Sequence, residues 1–285
     1  VRLRGIGGPE YDRGELTFFS PRVFGANWNL TNQYFGEYLA EPYYTSSSYG
    51  GLISTLKKFG SRWTFGFREQ VTRTDLYESE SDLVALGNSV YDNTLNEFQL
   101  TASYDRRDNY ADPQKGVYVV VLNEINTSLS DLTSNFNIFE INISHSKGFL
   151  KRFTLVNTVR AGDIMDVASD PVIPANKLFF LGGADTLRGF DEDAVNPSGG
   201  TTLGLYNGEL QLRMTNAVKL AGFFDAGFLT TGFGAVNMSD IRESAGFGLR
   251  YITPIGPLRL DWAFILDRQA GEPTNHFHFS FGYTF

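Results

Sequence analysis

The sequence predicts an all-β chain folded as a transmembrane, antiparallel, up-and-down β-barrel. Three observations lead there. Apolar and polar residues alternate with a period of two along many segments, as in strands whose two faces meet unlike surroundings. The apolar set is rich in aromatic residues, with 25 Phe, 14 Tyr and 3 Trp, and 30 Gly are spread through the chain. The connections between strands alternate between short and long, as periplasmic turns and surface loops do in outer-membrane meanders.

The alternation is read directly from the segments in order. In SRWTFGFREQ, Trp63, Phe65 and Phe67 stand opposite Arg62, Gly66 and Arg68. NEFQLTASYD sets Phe98, Leu100, Ala102 and Tyr104 against Glu97, Gln99, Thr101 and Ser103. PLRLDWAFIL sets Leu258, Leu260, Trp262, Phe264 and Leu266 against Arg259, Asp261, Ala263 and Ile265. The final HFHFSFGYTF alternates without a break, with Phe277, Phe279, Phe281, Tyr283 and Phe285 on one side. A soluble sandwich would carry a mostly aliphatic buried face. An aromatic face opposite one bearing Gly and both signs of charge fits lipid outside and a polar lumen inside.

About fourteen strands follow from this pattern, near 1–7, 14–20, 27–40, 48–58, 61–76, 94–107, 115–126, 134–147, 150–163, 201–214, 217–228, 242–252, 257–267 and 276–285. Short connections fall near 21–26, 59–60, 108–114, 148–149, 215–216 and 253–256, and long ones near 41–47, 77–93, 127–133, 164–200, 229–241 and 268–275. No linker or composition shift divides the chain, so residues 1–285 are expected to form one barrel domain. No blade-length repeat supports a propeller.

Composition narrows the function classes. The net charge is −8, which disfavours nucleic acid, whose phosphates call for a basic stripe. Without Cys there is no disulfide and no thiol chemistry. Mean hydropathy is −0.19. The sequence has no apolar run long enough for a membrane helix, which leaves strand crossing open. No leader opens the sequence, and the expectation is that any signal peptide has been removed or lies outside it.

Five stretches carry a family resemblance. LGGADTLRGF (181–190) resembles the Gly-Gly and [VIL]-Arg-Gly-[FY] motif of the inward-folded sixth surface loop in the Omp85 superfamily. FFDAG (223–227) is similar to its F-x-D-x-G strand motif, and RESAGFGLRYITPIGPLRLDWA (242–263) to its penultimate hairpin. SFGYTF (280–285) resembles its C-terminal signal strand, which places Gly282, Tyr283 and Phe285 in that signal. SYDRRDNYADPQKGVYV (103–119) resembles a periplasmic turn of these barrels. Gly282 would either kink the last strand or simply leave packing space beside a lumen residue.

Alternation alone places the candidate site. In NGELQLRM the apolar residues Leu210, Leu212 and Met214 face lipid, which turns Asn207, Glu209, Gln211 and Arg213 inward. In KLAGFFDAGF it turns Phe223, Asp225 and Gly227 inward. A guanidinium enclosed in a narrow lumen is costly unless carboxylates accept its fork of donors. The resemblance implies that Arg188, with Gly189 and Phe190, is the docked loop motif and that Glu209 and Asp225 are its partners. In the alternative, Asp225 pairs with another lumen cation such as Arg213, and Arg188 stays in a surface loop. Gly182, Gly183 and Gly189 would supply positive φ or close approach.

No metal or cofactor is expected. His276 and His278 share a face without a third ligand. Asp191, Glu192 and Asp193 lack the spacing of a calcium loop. No nucleotide or hydrolase motif appears, and no enzyme activity is expected. The resemblance implies a bacterial outer-membrane barrel of about sixteen strands, with the first two and the periplasmic POTRA domains outside this sequence. It implies insertion of outer-membrane proteins through a weak seam, with outer-membrane lipids, unfolded outer-membrane proteins, a POTRA region and accessory subunits as partners. Two-partner secretion, a barrel-only relative and a passive diffusion porin are the other readings.

Overall fold

The computed structural model describes residues 1–23, 28–78, 92–130, 133–166, 172–253 and 256–281. Fourteen antiparallel strands follow one another in a single sheet, in the order β1 to β14. They are β1 (Arg2–Ile6), β2 (Tyr11–Val23), β3 (Trp28–Ala40), β4 (Tyr44–Phe59), β5 (Trp63–Glu78), β6 (Asn93–Asp105), β7 (Lys115–Ser128), β8 (Phe136–Phe149), β9 (Phe153–Asp166), β10 (Thr202–Arg213), β11 (Val218–Thr230), β12 (Arg242–Thr253), β13 (Gly256–Ile265) and β14 (Asn275–Phe281). Among the described residues β1 and β14 do not pair, so the order does not close on itself. No helix is long and apolar enough to cross a membrane.

The strands fall where alternation puts them, with differences at their ends. β2 reaches Val23, where a turn is expected, and its register shifts between Ser20 and Val23. Arg22 takes φ 59° there, so the strand continues through a bulge. β4 begins at Tyr44 rather than near 48 because the polar YTSS stretch still pairs with β5, Tyr44 opposite Glu78. Most of the expected 77–93 connection lies outside the described residues.

The residues group into two compact units. The first holds Val1–Ser103, Val121–Glu140 and Ile164–Leu178. One side of its strands exposes Tyr34, Tyr49, Trp63 and Phe65. The other carries ion pairs: Arg13 with Glu15 and Glu37, Arg68 with Glu124, and Lys177 with both Glu97 and Glu124. Lys177 ends a single 3-10 turn, Ala175–Lys177, that follows Pro174.

The second unit holds Tyr104–Val120, Ile141–Asp163 and Phe179–Phe285. β8 and β9 meet at a tight turn where Leu150 and Lys151 take φ 48° and 60°. Three residues, Leu150–Arg152, make the connection, and two of them take left-handed backbone. Phe149 and Phe153 stack across it at 5.7 Å. Phe247, Trp262, Phe277 and Phe279 form an exposed aromatic surface, as expected of a lipid-facing wall. The opposite side buries Phe223, Asp225, Arg242, Ser244, Arg250, Arg259 and Asp261, and on it lies the loop 179–200.

Candidate functional site

The loop is a folded body. Phe179 and Gly200 close its neck through two backbone hydrogen bonds, each 2.9 Å. Thr186 Oγ1 accepts from Gly182 N–H at 2.9 Å and donates to Gly182 O at 2.6 Å, and Gly183 N donates to Phe190 O at 3.1 Å. Gly182 and Gly183 hold φ of 127° and 97°. A side chain at either would strain the backbone and collide with Asp191 O or the Glu192 carboxylate. Leu181, Leu187 and Phe190 are buried, with Leu181 Cδ1 over Gly227, where an added Cβ would lie 3.2 Å away.

This fold delivers Arg188 to the wall. The strands put its partners side by side: Asn207 on β10 stands opposite Asp225 on β11, and Glu209 opposite Phe223. Asp225, fully buried, accepts from Arg188 Nε at 2.8 Å and Nη2 at 2.6 Å, a bidentate fork. It also accepts from Arg188 N–H at 3.3 Å, Asn207 Nδ2 at 2.8 Å and Ser244 Oγ at 3.4 Å. Glu209 accepts from Arg188 Nη1 at 2.9 Å. The guanidinium lies over the Phe223 ring, 3.5 Å from its centroid, where the ring face attracts a cation. Burial disfavours the Arg188 charge, but the bonds and charges of Asp225, with Glu209 and Asp261, hold it protonated above its ordinary value.

The two neighbours of Arg188 are fitted as closely. Gly189 needs no positive φ; its role is approach, because a Cβ there would lie 2.6 Å from Ser244 Cβ and 3.2 Å from Ile265 Cγ1. Phe190 packs under the Arg242 guanidinium at 4.6 Å, and Arg242 is itself held by Asp267 at 2.6 Å and Glu272 at 2.7 Å. A loop cation thus covers a wall ring, and a wall cation covers a loop ring.

Several contacts were not assigned from the sequence. Arg250 on β12 donates to Glu209 Oε2 at 2.6 Å and lies 2.7 Å from Asp261 Oδ1, so two arginines share Glu209. Arg213 binds Asp112 of the 106–114 turn at 3.1 Å, and Lys219 binds the same carboxylate. Arg259 reaches Ala184 O and Asp185 Oδ1, both at 2.7 Å. His276 Nδ1 lies 3.0 Å from Asp191 Oδ1, and His278 Nε2 donates to Arg188 O at 2.9 Å. Continuing the alternation through RESAGFGLRY puts Arg242, Ser244 and Arg250 on the inner face, which is the signal that could have found them. Asp261 and Arg259 were already on the inward set, without a partner to assign.

No group of three or more His, Asp or Glu that could hold a metal occurs among the described residues. Gly282, Tyr283 and Phe285 lie outside the described residues. What the site can do chemically is fix a loop to a wall, with five charged groups, Arg188, Arg250, Glu209, Asp225 and Asp261, closing on one another.

The chain matches the Omp85 superfamily domain over residues 1–285. It is 23% identical over 291 residues to the outer membrane protein assembly factor BamA of Nitratidesulfovibrio vulgaris, covering 94% of this chain and 36% of that one. The chain therefore spans about a third of that relative's length. The structure of BamA from Haemophilus ducreyi lacking POTRA domains 1–3 superposes with a TM-score of 0.83 at 16% identity, over 97% of this chain and 63% of that one. CdiB from Acinetobacter baumannii superposes with a TM-score of 0.55 at 11% identity, over 94% of this chain and 56% of that one. The fold is a run of fourteen antiparallel up-and-down strands of the BamA barrel type, and its location is the bacterial outer membrane. The chain belongs to the Omp85 superfamily.

Proposed function

We propose that this chain is the membrane-embedded part of an assembly factor that inserts outer-membrane proteins. The observation that supports this most is the docked Arg188 on Asp225 and Glu209, together with likeness to an assembly factor over nearly the whole chain. The work needs no bond chemistry. A strand entering lipid must satisfy every backbone N–H and C=O, and an unpaired strand edge supplies a template for those bonds. A seam between the barrel's end strands would offer that edge, and thinned lipid beside it would lower the barrier further. The docked loop would keep the wall in shape while the seam moves: Arg188, Glu209 and Asp225 tie β10 and β11 to the loop, and Arg250 ties β12 to Glu209. Gly227 and Phe223 would serve as the packing bed for that lock, and Gly182, Gly183, Gly189 and Phe190 as the shape that fits it. Clients would be unfolded outer-membrane proteins, delivered through a POTRA region and accessory subunits, with outer-membrane lipids as the solvent of the reaction.

The test is depletion of the full-length protein in its own cell. Levels of other folded outer-membrane proteins should fall, and the Asp225→Ala variant should fail to restore them. Unchanged levels would count against assembly. Loss of one exported protein alone would favour two-partner secretion, and a steady open conductance with no effect on other barrels would favour a passive porin.

A further inference from the structure

The last strand is tied to the loop directly through His276 and His278 and, through Arg259 of β13, by Ser280. β14 pairs with β13 so that Arg259 stands opposite Ser280, Asp261 opposite His278 and Ala263 opposite His276. Ser280 Oγ accepts from Arg259 Nε at 2.9 Å, and the same guanidinium donates through Nη2 to Ala184 O and Asp185 Oδ1, both at 2.7 Å. His278 Nε2 donates to the carbonyl of Arg188 at 2.9 Å. His276 Nδ1 is 3.0 Å from Asp191 Oδ1, and the two imidazoles stack at 6.1 Å. The outward residues Phe277, Phe279 and Phe281 stay exposed.

The ties are placed to transmit position. His278 holds the backbone of the residue whose side chain forms the Arg188–Asp225 fork, and Arg259 holds the turn two and three positions before Leu187.

We propose that the docked loop is the positioning element of β14, so that docking of the loop and seating of the last strand form one linked equilibrium. His278 and Arg259 are the positioning residues: neither is part of the Arg188 fork, and each spans from the hairpin to the loop. Linkage is reciprocal. Freeing the loop loosens β14, and cutting the ties of β14 loosens the loop. This inference does not rest on the assembly reading, because it concerns the coupling of two elements and not what the coupling is used for.

Amide hydrogen exchange on the full-length protein in lipid nanodiscs tests it. In Asp225→Asn, amides of 275–281 should exchange about fivefold faster or more, while those of β2–β4 keep their rates. In His278→Ala, a milder change on a half-buried residue, amides of 182–190 should speed up although the Arg188 partners are intact. Restoring a donor with His278→Gln should recover part of the protection. If loop amides exchange fast in Asp225→Asn while 275–281 keep their native rate, the two elements are independent and the proposal is overturned. Should Asp225→Asn fail to fold, unchanged loop exchange in the His278→Ala, Arg259→Gln double variant overturns it equally. Loss of assembly activity with exchange as predicted, or the reverse, separates this inference from the proposed function.

Discussion

Two cations of one connection, Lys177 and Arg188, are each held by two carboxylates, and they are held differently. Lys177 makes one bond to Glu97 at 2.9 Å and one to Glu124 at 2.8 Å. Glu124 has a second cation in Arg68 at 3.0 Å, and a polar cavity of about 290 Å³ lies beside the group. Arg188 presents a planar fork to one buried carboxylate, a further donor to a second, and its flat face to a ring. The cavity next to it measures about 80 Å³. An ammonium is a compact, strongly hydrated point charge, whereas a guanidinium fixes direction. The first arrangement holds a charge beside a polar cavity; the second also fixes the direction in which the loop presents its cation.

The variants that would break this contrast differ in expected size. Asp225→Ala takes the bidentate partner from buried Arg188 and leaves Glu209 at 2.9 Å and Asp261 at 4.0 Å, and breaking a buried pair costs about 3–5 kcal/mol. Urea unfolding from lipid vesicles should show that loss, and a change below about 1 kcal/mol would make the two anchors equivalent. Arg188→Lys keeps the charge but loses the fork and the ring contact, and should cost about 2 kcal/mol. The mirror change, Lys177→Arg, should cost much less, because two separate carboxylates can accept from one guanidinium as readily as from an ammonium. Equal losses in the two exchanges would end the distinction. Gly189→Ala should cost about 1–3 kcal/mol through overpacking against Ser244 and Ile265, read in the same unfolding series.

The smallest effect is on pH. Burial pushes the Asp193 carboxyl from the usual 3.8 up to about 6. Its pKa is raised in the docked loop, so its contribution is fully present below about 3.8 and is lost as pH rises through about 6. Amide exchange of 190–195, corrected for the intrinsic rate at each pH, should therefore show less protection at pH 7 than at pH 4. Asp193→Asn should flatten that dependence. Arg188 has no such window, since its charge persists across the range.

How much was legible follows the physics of alternation. A period of two names the face of every residue on a strand, so Glu209, Asp225, Phe223 and Gly227 could be turned inward from the sequence, and the strand edges came out within a few residues. Alternation does not give register. Whether Arg250 comes within reach of Glu209 depends on how β11 and β12 slide; here Glu209 is level with Phe223 and Gly246, and Arg250 reaches it from four residues along β12. The Arg250–Glu209 and Arg250–Asp261 contacts were therefore out of reach. Loop contacts are harder still: Lys177 on Glu97 and Glu124, or His278 on a carbonyl, join residues with no shared periodicity. The Arg188 motif was readable only because its residues resemble a family pattern. Bulges are similarly silent, as Arg22 in β2 illustrates, because nothing in the local residues marks a strand that continues through a left-handed position.

The most direct test of the docked arginine is a double-mutant cycle on Arg188 and Asp225. Unfolding free energies of the parent, Arg188→Ala, Asp225→Ala and the double variant would be compared in the full-length protein in lipid vesicles. A coupling of about 2 kcal/mol or more is expected for a buried bidentate pair. Additive losses, with coupling within about 0.5 kcal/mol of zero, would contradict it and return Arg188 to the status of a loop residue that lies near the wall without holding it.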